Sequence, residues 1–293
     1  MKDFLAARDK MPFLRSYVSY SEEERPHLII TNPSILATFI GFLKFQSRKS
    51  NKTGEVFFRG QTKNYKQIVP SILRGDDLDH INLLSIAYDE LKTYTRSLFN
   101  ASRFKEETID NLFQQYGIRS KTLDLVDNIF VALWFATNTL ERKGLLFNFC
   151  ESEEQFGWIY FMLVDGPQPQ NDQNQNDPGF NGYCDLRKFH SSLSARLHCQ
   201  HGITYFRNND GEWNFKNRCF DNLVIAAVKF PNTKEFKLNV GLITKEFLFP
   251  EKKIDNTYQL LSKTKFAELQ TKIENQFGLD KNSLGEIWQF DFH

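Results

Sequence analysis

Apolar residues at Ile35, Leu36, Phe39, Phe42 and Leu43 fall on one face at helical spacing, directly after Asn32 and Pro33. This predicts a helix capped by Asn32 with Pro33 in its first turn. The polar, basic run RKSNKTG at 48–54 ends it. EVFFRG, from Glu55 to Gly60, then reads as a short strand rich in aromatic and β-branched residues. A second helix is predicted over 79–100 through Leu84, Ala87, Leu91, Tyr94 and Leu98. A third is predicted over 106–116 through Ile109, Leu112 and Phe113, with Gly117 stopping it. Asp127 is placed to cap a nearly all-apolar helix over 128–140. There Phe130, Val131, Leu133, Trp134 and Phe135 cover every face, so it should be buried centrally. Strands are expected at 158–164, 203–207 and 223–230, and a final long helix at 258–277. The intervening segment GPQPQNDQNQNDPGFNG is too polar to pack and too long for an ordinary connection, which predicts a mobile surface loop at 166–182.

No internal repeat is visible. Helical patterns cluster early and strand patterns late, which predicts an α+β fold: an N-terminal helical part plus a mixed or antiparallel sheet. The chain has 293 residues, and a single domain over 31–293 preceded by an N-terminal extension over 1–30 is expected. Hydrophobic residues make up 41% and charged residues 25%, an ordinary globular composition that excludes a disordered or fibrous chain. With 29 Phe against 3 Met and 4 Trp, the core should be aromatic-rich. The four cysteines, Cys150, Cys184, Cys199 and Cys219, form no CxxC pair and are read as free thiols of a reducing compartment. Charges interrupt the first residues every few positions, and no apolar run approaches membrane-span length, so a soluble, cytoplasmic protein is expected.

The net charge is only +1, yet residues 44–74 hold eight basic side chains against one acid, Glu55. Such local asymmetry suits an anionic ligand, a phosphate or a polynucleotide. Within that stretch Arg59 ends the strand and is followed by Gly60 and Gln61. This presents a guanidinium fork where the backbone turns away, while the glycine permits close approach of another chain or a ligand. The nearest carboxylate in sequence, Glu55, lies ~13 Å along the strand, so Arg59 must pair with a distant residue such as Asp124 or stay available to an anion. Asp124 itself precedes the apolar helix, where it can pair with an arginine or orient a ligand hydroxyl. Arg59, Gln61, Tyr116, Asp124, Arg196 and Gln200 are expected to line one cleft.

These residues also carry a family resemblance. Phe58-Arg59-Gly60, then a Tyr before PSILR, then QYG with Tyr116 and Gly117, then LD with Asp124 ahead of ALWFA resemble the FRG-domain proteins in order and spacing. Further on, ARLHCQHGITYF is similar to the family's Arg…Gln-x-Gly…Phe segment and places Arg196, Gln200, Gly202 and Phe206. LFPE, from Leu248 to Glu251, resembles its late Leu-Phe-Pro-acid element. Family members commonly carry HYG followed by PTRLLDW. Here Gln115, Arg119, Lys121 and Leu125 stand at positions of that motif, so roles of the His and the Trp do not transfer. Within the resemblance the ligand-binding candidates are Arg59, Gly60, Gln61, Tyr116, Gly117, Asp124, Arg196 and Gln200.

An aromatic-Arg-Gly on an early strand also resembles the mono-ADP-ribosyltransferases, in which the Arg grips the phosphates of NAD. Their serine-rich strand and late glutamate are loosely echoed by residues 189–194 and by Glu151-Ser152-Glu153, in the wrong order, and no catalytic carboxylate is identified. The resemblance implies an NAD-consuming effector, a toxin or a phage-defence protein acting on nucleic acid or protein. The other reading is a non-catalytic module that binds nucleic acid or protein through 44–74. His198-Cys199-Gln200-His201 lacks matching partners, so no metal is expected. Dinucleotide, Walker, GxSxG and HExxH motifs are all missing from the sequence, which argues against Rossmann dehydrogenases, P-loop enzymes, serine hydrolases and zincins.

Overall fold

A computed structural model describes residues 4–6, 9, 12–23, 25–49, 54–74, 78–98, 106–143, 146–164, 182–189, 194–206, 219–238, 243–263 and 266–285. The expected mobile loop at 166–182, apart from Gly182, lies outside the described residues. So do 50–53 of the basic run, the helix end at 99–100, Arg207 and 190–193 of the serine-rich stretch.

The strands are β1 (Val18–Ser21), β2 (His27–Ile30), β3 (Glu55–Gln61), β4 (Leu123–Val126), β5 (Asn138–Lys143), β6 (Leu146–Glu151), β7 (Phe156–Val164), β8 (Gly182–Asp185), β9 (Gly202–Phe206) and β10 (Val224–Pro231). Eight of them form one sheet in the order β1-β2-β10-β7-β3-β4-β9-β8, while β5 and β6 make a separate hairpin. The β2–β10 pair is parallel and the other neighbours are antiparallel, so the sheet is mixed and the fold is α+β. The segment expected as an extension, 1–30, supplies β1 and β2 of this sheet.

Principal helices are α1 (Pro33–Lys49), α2 (Leu78–Leu98), α3 (Glu106–Gln115), α4 (Ile129–Thr137), α5 (Ala195–Cys199), α6 (Asn256–Lys263) and α7 (Phe266–Gln276). Asn32 starts α1 as its sequence predicts, its side chain accepting from the backbone N–H of Ser34 at 2.8 Å. Gly117 follows α3 with φ +92°, a left-handed conformation that glycine adopts without steric cost. The region expected as one final helix is described as α6 and α7, residues 264–265 between them not being among those described.

Three expectations about α4 need correction. Its cap is Asn128, whose side chain accepts from Phe130 N–H at 2.9 Å, and Asp127 instead pairs with Arg187 at 2.6 Å and His201 at 3.0 Å. The helix also stops at Thr137 rather than 140. Side chains satisfy its last carbonyls there, Thr137 Oγ1 donating to Leu133 and Asn138 Nδ2 to Trp134, and Asn138-Thr139-Leu140 turns into β5. Nor is α4 buried all round. Val131, Ala132, Leu133 and Ala136 are buried, Trp134 and Phe135 partly so, and Phe130 is 46% exposed.

The core divides between the two faces of the one sheet. One face carries Val56, Phe58, Ile159, Phe161, Val228 and Phe230 beneath α1 and α4. The other carries Phe57, Leu123, Leu125, Tyr160, Met162 and Ile203, closed by Ile68 and Phe220. Strand alternation produces this division, successive residues of β3 pointing to opposite faces. Phenylalanine dominates as its frequency suggests, with Phe161 meeting both Phe39 and Phe58 edge-on at 5.2 and 5.5 Å.

Candidate functional site

The sheet is weakest at its middle. β3 and β4 share one matched pair, Phe58 with Val126, whereas β3 and β7 are paired along seven residues. Past that pair the strands part, and a pocket of about 250 Å³ occupies the opening. Its polar lining is Arg59, Gln114, Gln115, Asp124 and Gln200, and Phe58, Phe135, Leu140, Phe149 and Phe249 supply its apolar walls.

Arg59 sits at the opening. Its Nη1 donates to the backbone carbonyl of Asp124 at 2.7 Å, joining β3 to β4 where their own pairing has ended. Its Nε is buried and has no hydrogen-bond partner among the described residues. Burial, with the charge of Arg74 added, lowers the guanidinium pKa to about 10. Asp124 comes from the other strand, and its carboxylate accepts from Gln114 Nε2 and, at 3.2 Å, from Gln115 Nε2. Burial raises the Asp124 pKa, opposed by the Gln114 bond and by the charges of Arg59 and Arg74. Arg59 and Asp124 are therefore joined, but through the main chain of Asp124; the carboxylate pair anticipated between them is not formed.

Gly60 lines the pocket and also has a packing role that its sequence context does not suggest. A β carbon there would lie 1.8 Å from the carbonyl oxygen of Ala132 and 2.9 Å from the Ala136 nitrogen. The close neighbour is the backbone of α4, so this glycine lets the helix rest on the strand. Gly157 of β7 serves the same contact, its missing β carbon facing the Ala136 carbonyl at 2.8 Å.

Of the other expected site residues, Gly117 and Gln200 line the pocket, Gln200 held by an Nε2 bond to the Leu248 carbonyl at 3.0 Å. Gln61, Tyr116 and Arg196 do not line it. Tyr116 and Arg196 lie behind its wall. The Arg196 side chain is fully buried, its guanidinium carbon 4.7, 5.3 and 5.2 Å from the ring centres of Tyr116, Phe249 and Tyr258. Its Nη1 donates to the Gln115 carbonyl at 3.2 Å, and burial lowers its pKa. Asp255, also buried, accepts from the Tyr116 hydroxyl at 2.7 Å and from the Arg196 and Tyr258 amides at 3.0 Å each. This inner layer fixes Gln115 and Phe249, two residues that do line the pocket.

Sequence reasoning misses Gln114 and the walls Phe135, Leu140, Phe149 and Phe249. Phe135 reads from the sequence as core alone, and it packs on the core while also facing the pocket, 6.3 Å from both Phe149 and Phe249. His201, considered as a metal ligand, is engaged by Asp127.

An α+β protein with a ligand-sized opening between two central strands is thus defined. Residues 54–144 match the FRG domain, and the chain carries an FRG domain over that segment. Arg59, Gly60, Gln114, Gln115, Gly117 and Asp124 fall inside it, whereas Gln200, Gly202 and Phe249 complete the same pocket from beyond it. No curated protein and no solved structure matches the chain.

Proposed function

We propose that this chain binds NAD in the opening between β3 and β4 and cleaves its nicotinamide–ribose bond, as an ADP-ribosyltransferase or NAD glycohydrolase does. The observation that carries the reading is the joined pair Arg59 and Asp124 lining an aromatic-walled pocket. Arg59 offers a charged donor whose Nε is uncommitted, suited to an acceptor atom of the ligand. The phenylalanine walls suit a flat ring. The pocket volume suits one nucleoside-sized half of a dinucleotide.

Asp124 is the single acid among the described residues lining the pocket. In this reading the bond between ribose C1′ and the nicotinamide nitrogen breaks, and its electron pair leaves with nicotinamide. The oxygen of water or of an acceptor hydroxyl captures the ribosyl cation, and its proton passes to the Asp124 carboxylate. A carboxyl raised by burial is a better base for that proton than an ordinary one. The family resemblance supports the further reading of a toxin or phage-defence effector with nucleic acid or protein as acceptor.

The rival reading, a nucleic-acid face made by 44–74, is less favoured by how those charges are distributed. Lys63 is paired with Glu154 at 3.0 Å, Lys44 lies 5.4 Å over the Phe58 ring, and Arg59 is drawn into the pocket. The test is incubation of the full chain with NAD, alone and with nucleic acid or lysate, followed by chromatography and mass spectrometry. Nicotinamide released by wild type and lost in Arg59→Ala and Asp124→Asn is the expected result. Salt-sensitive nucleic-acid binding with no NAD bound or consumed would favour the rival.

A further inference from the structure

We propose that Gln114 and Gln115 make the pocket selective for a ligand group bearing –NH2 beside a hydrogen-bond acceptor, as a primary carboxamide or an aminopurine edge does. The inference rests on the dinucleotide reading above and narrows it. Asp124 sets the amide orientations. Both Nε2 groups donate to its carboxylate, so each amide turns its carbonyl oxygen elsewhere. Both Oε1 atoms are buried without a hydrogen-bond partner among the described residues, although both side chains line the pocket. Buried acceptors are ordinarily satisfied, and two adjacent residues left short at one pocket call for a donor from outside the chain.

Arg59 completes the set. With Nη1 committed to the Asp124 carbonyl, its Nε is the buried donor left over. The unused groups are therefore two acceptors and one donor. A primary carboxamide supplies the complement, two N–H donors and one carbonyl, and the edge of adenine supplies the same with its amino group and a ring nitrogen. A carboxylate offers no donor to the glutamines, and a keto-purine loses the amino group. Gln115 stands in the tripeptide QYG where the family resemblance has His, so this amide-based selection belongs to this chain's own residues.

Titration calorimetry on the full chain with three dinucleotides tests it: NAD, deamido-NAD with a carboxylate for the carboxamide, and nicotinamide hypoxanthine dinucleotide with a keto group for the adenine amine. One of the two analogues should bind at least about tenfold more weakly than NAD, the loss expected for one or two hydrogen bonds at a buried site. Which analogue suffers identifies the end of the dinucleotide held there. Gln114→Met and Gln115→Met, checked by thermal melting, should bring the ratio of the two affinities towards one. Equal binding of all three ligands to wild type would overturn the selectivity and leave the dinucleotide reading standing. An unchanged ratio in a folded methionine variant would overturn the assignment to that glutamine. Failure of all three to bind would overturn both readings together.

Discussion

Arg59 reaches from β3 to the backbone carbonyl of Asp124 on β4, 2.7 Å away, where ladder pairing between the strands has ended. One guanidinium thus bridges the strands and still has an N–H to offer. A lysine keeps the charge but has no planar fork and no Nε. Arg59→Lys should lower NAD affinity by about tenfold or more. Losing the bridge should cost about 1 kcal/mol, a melting shift of roughly 2–4 °C. Calorimetry and thermal melting separate the two effects. A variant that melts several degrees lower yet binds NAD with full affinity would make Arg59 architectural.

Gly60→Ala tests the neighbouring position by a different route. The added carbon would meet the Ala132 carbonyl at 1.8 Å, a backbone atom with no rotamer to escape into. The helix must lift from the strand, which should destabilise the protein by about 3 kcal/mol or more. The expected measurement is a melting temperature lower by roughly 6 °C or more. Wild-type stability in Gly60→Ala would show that α4 can slide on the strand.

Much of this is legible in the sequence because the informative residues are polar ones among apolar neighbours. Arg59 stands out at the end of a strand and Gly117 at a helix stop, whereas Asp124 reads only as a carboxylate ahead of α4, its strand β4 not being anticipated, and Gln200 is placed by the family resemblance alone. The walls are not legible, since Phe135, Phe149 and Phe249 look like any core phenylalanine until the hairpin β5–β6 brings them together. That hairpin is hidden because Asn138-Thr139-Leu140 follows the apolar run of α4 without a glycine or proline to mark a stop, and side-chain bonds from Thr137 and Asn138 close the helix there. β1 and β2 span four residues each, too few for alternation to show in the sequence. Tyr116 and Arg196 are legible as unusual residues but not as an inner layer, because their partner Asp255 is distant in sequence from both.

That inner layer makes its own prediction. Asp255 accepts from one hydroxyl and two amides in a fully buried setting, beside the buried Arg196. Asp255→Ala removes all these acceptors at once and leaves the arginine without the nearby carboxylate. A loss of about 3–5 kcal/mol is expected, measured by denaturant unfolding. Asp255→Asn keeps one acceptor oxygen and should fall between the alanine variant and wild type. Near-equal stability of Asp255→Ala and wild type would show that these bonds are replaced by water.

Asp124 should show stability and activity moving in opposite directions. Burial holds its folded-state pKa above the ordinary carboxylate value, so over the window between the two values the folded state binds more protons than the unfolded state. Stability therefore declines as pH rises through that window, and at neutral pH the ionised, buried carboxylate is a net strain on the fold. The Asp124→Asn side chain carries no charge there, and its amide can still accept from one glutamine while donating to the other after an amide flip. Asp124→Asn should melt roughly 2–4 °C higher than wild type at pH 7, an increment of about 1 kcal/mol typical of relieving a strained site. The gain should shrink as pH falls and vanish below the ordinary carboxylate value, where wild type is neutral too. The same variant should release no nicotinamide from NAD, because asparagine cannot take the acceptor's proton. A variant that is less stable at pH 7 would mean that the glutamine bonds outweigh burial at Asp124, and one that keeps its turnover would remove Asp124 from the chemistry.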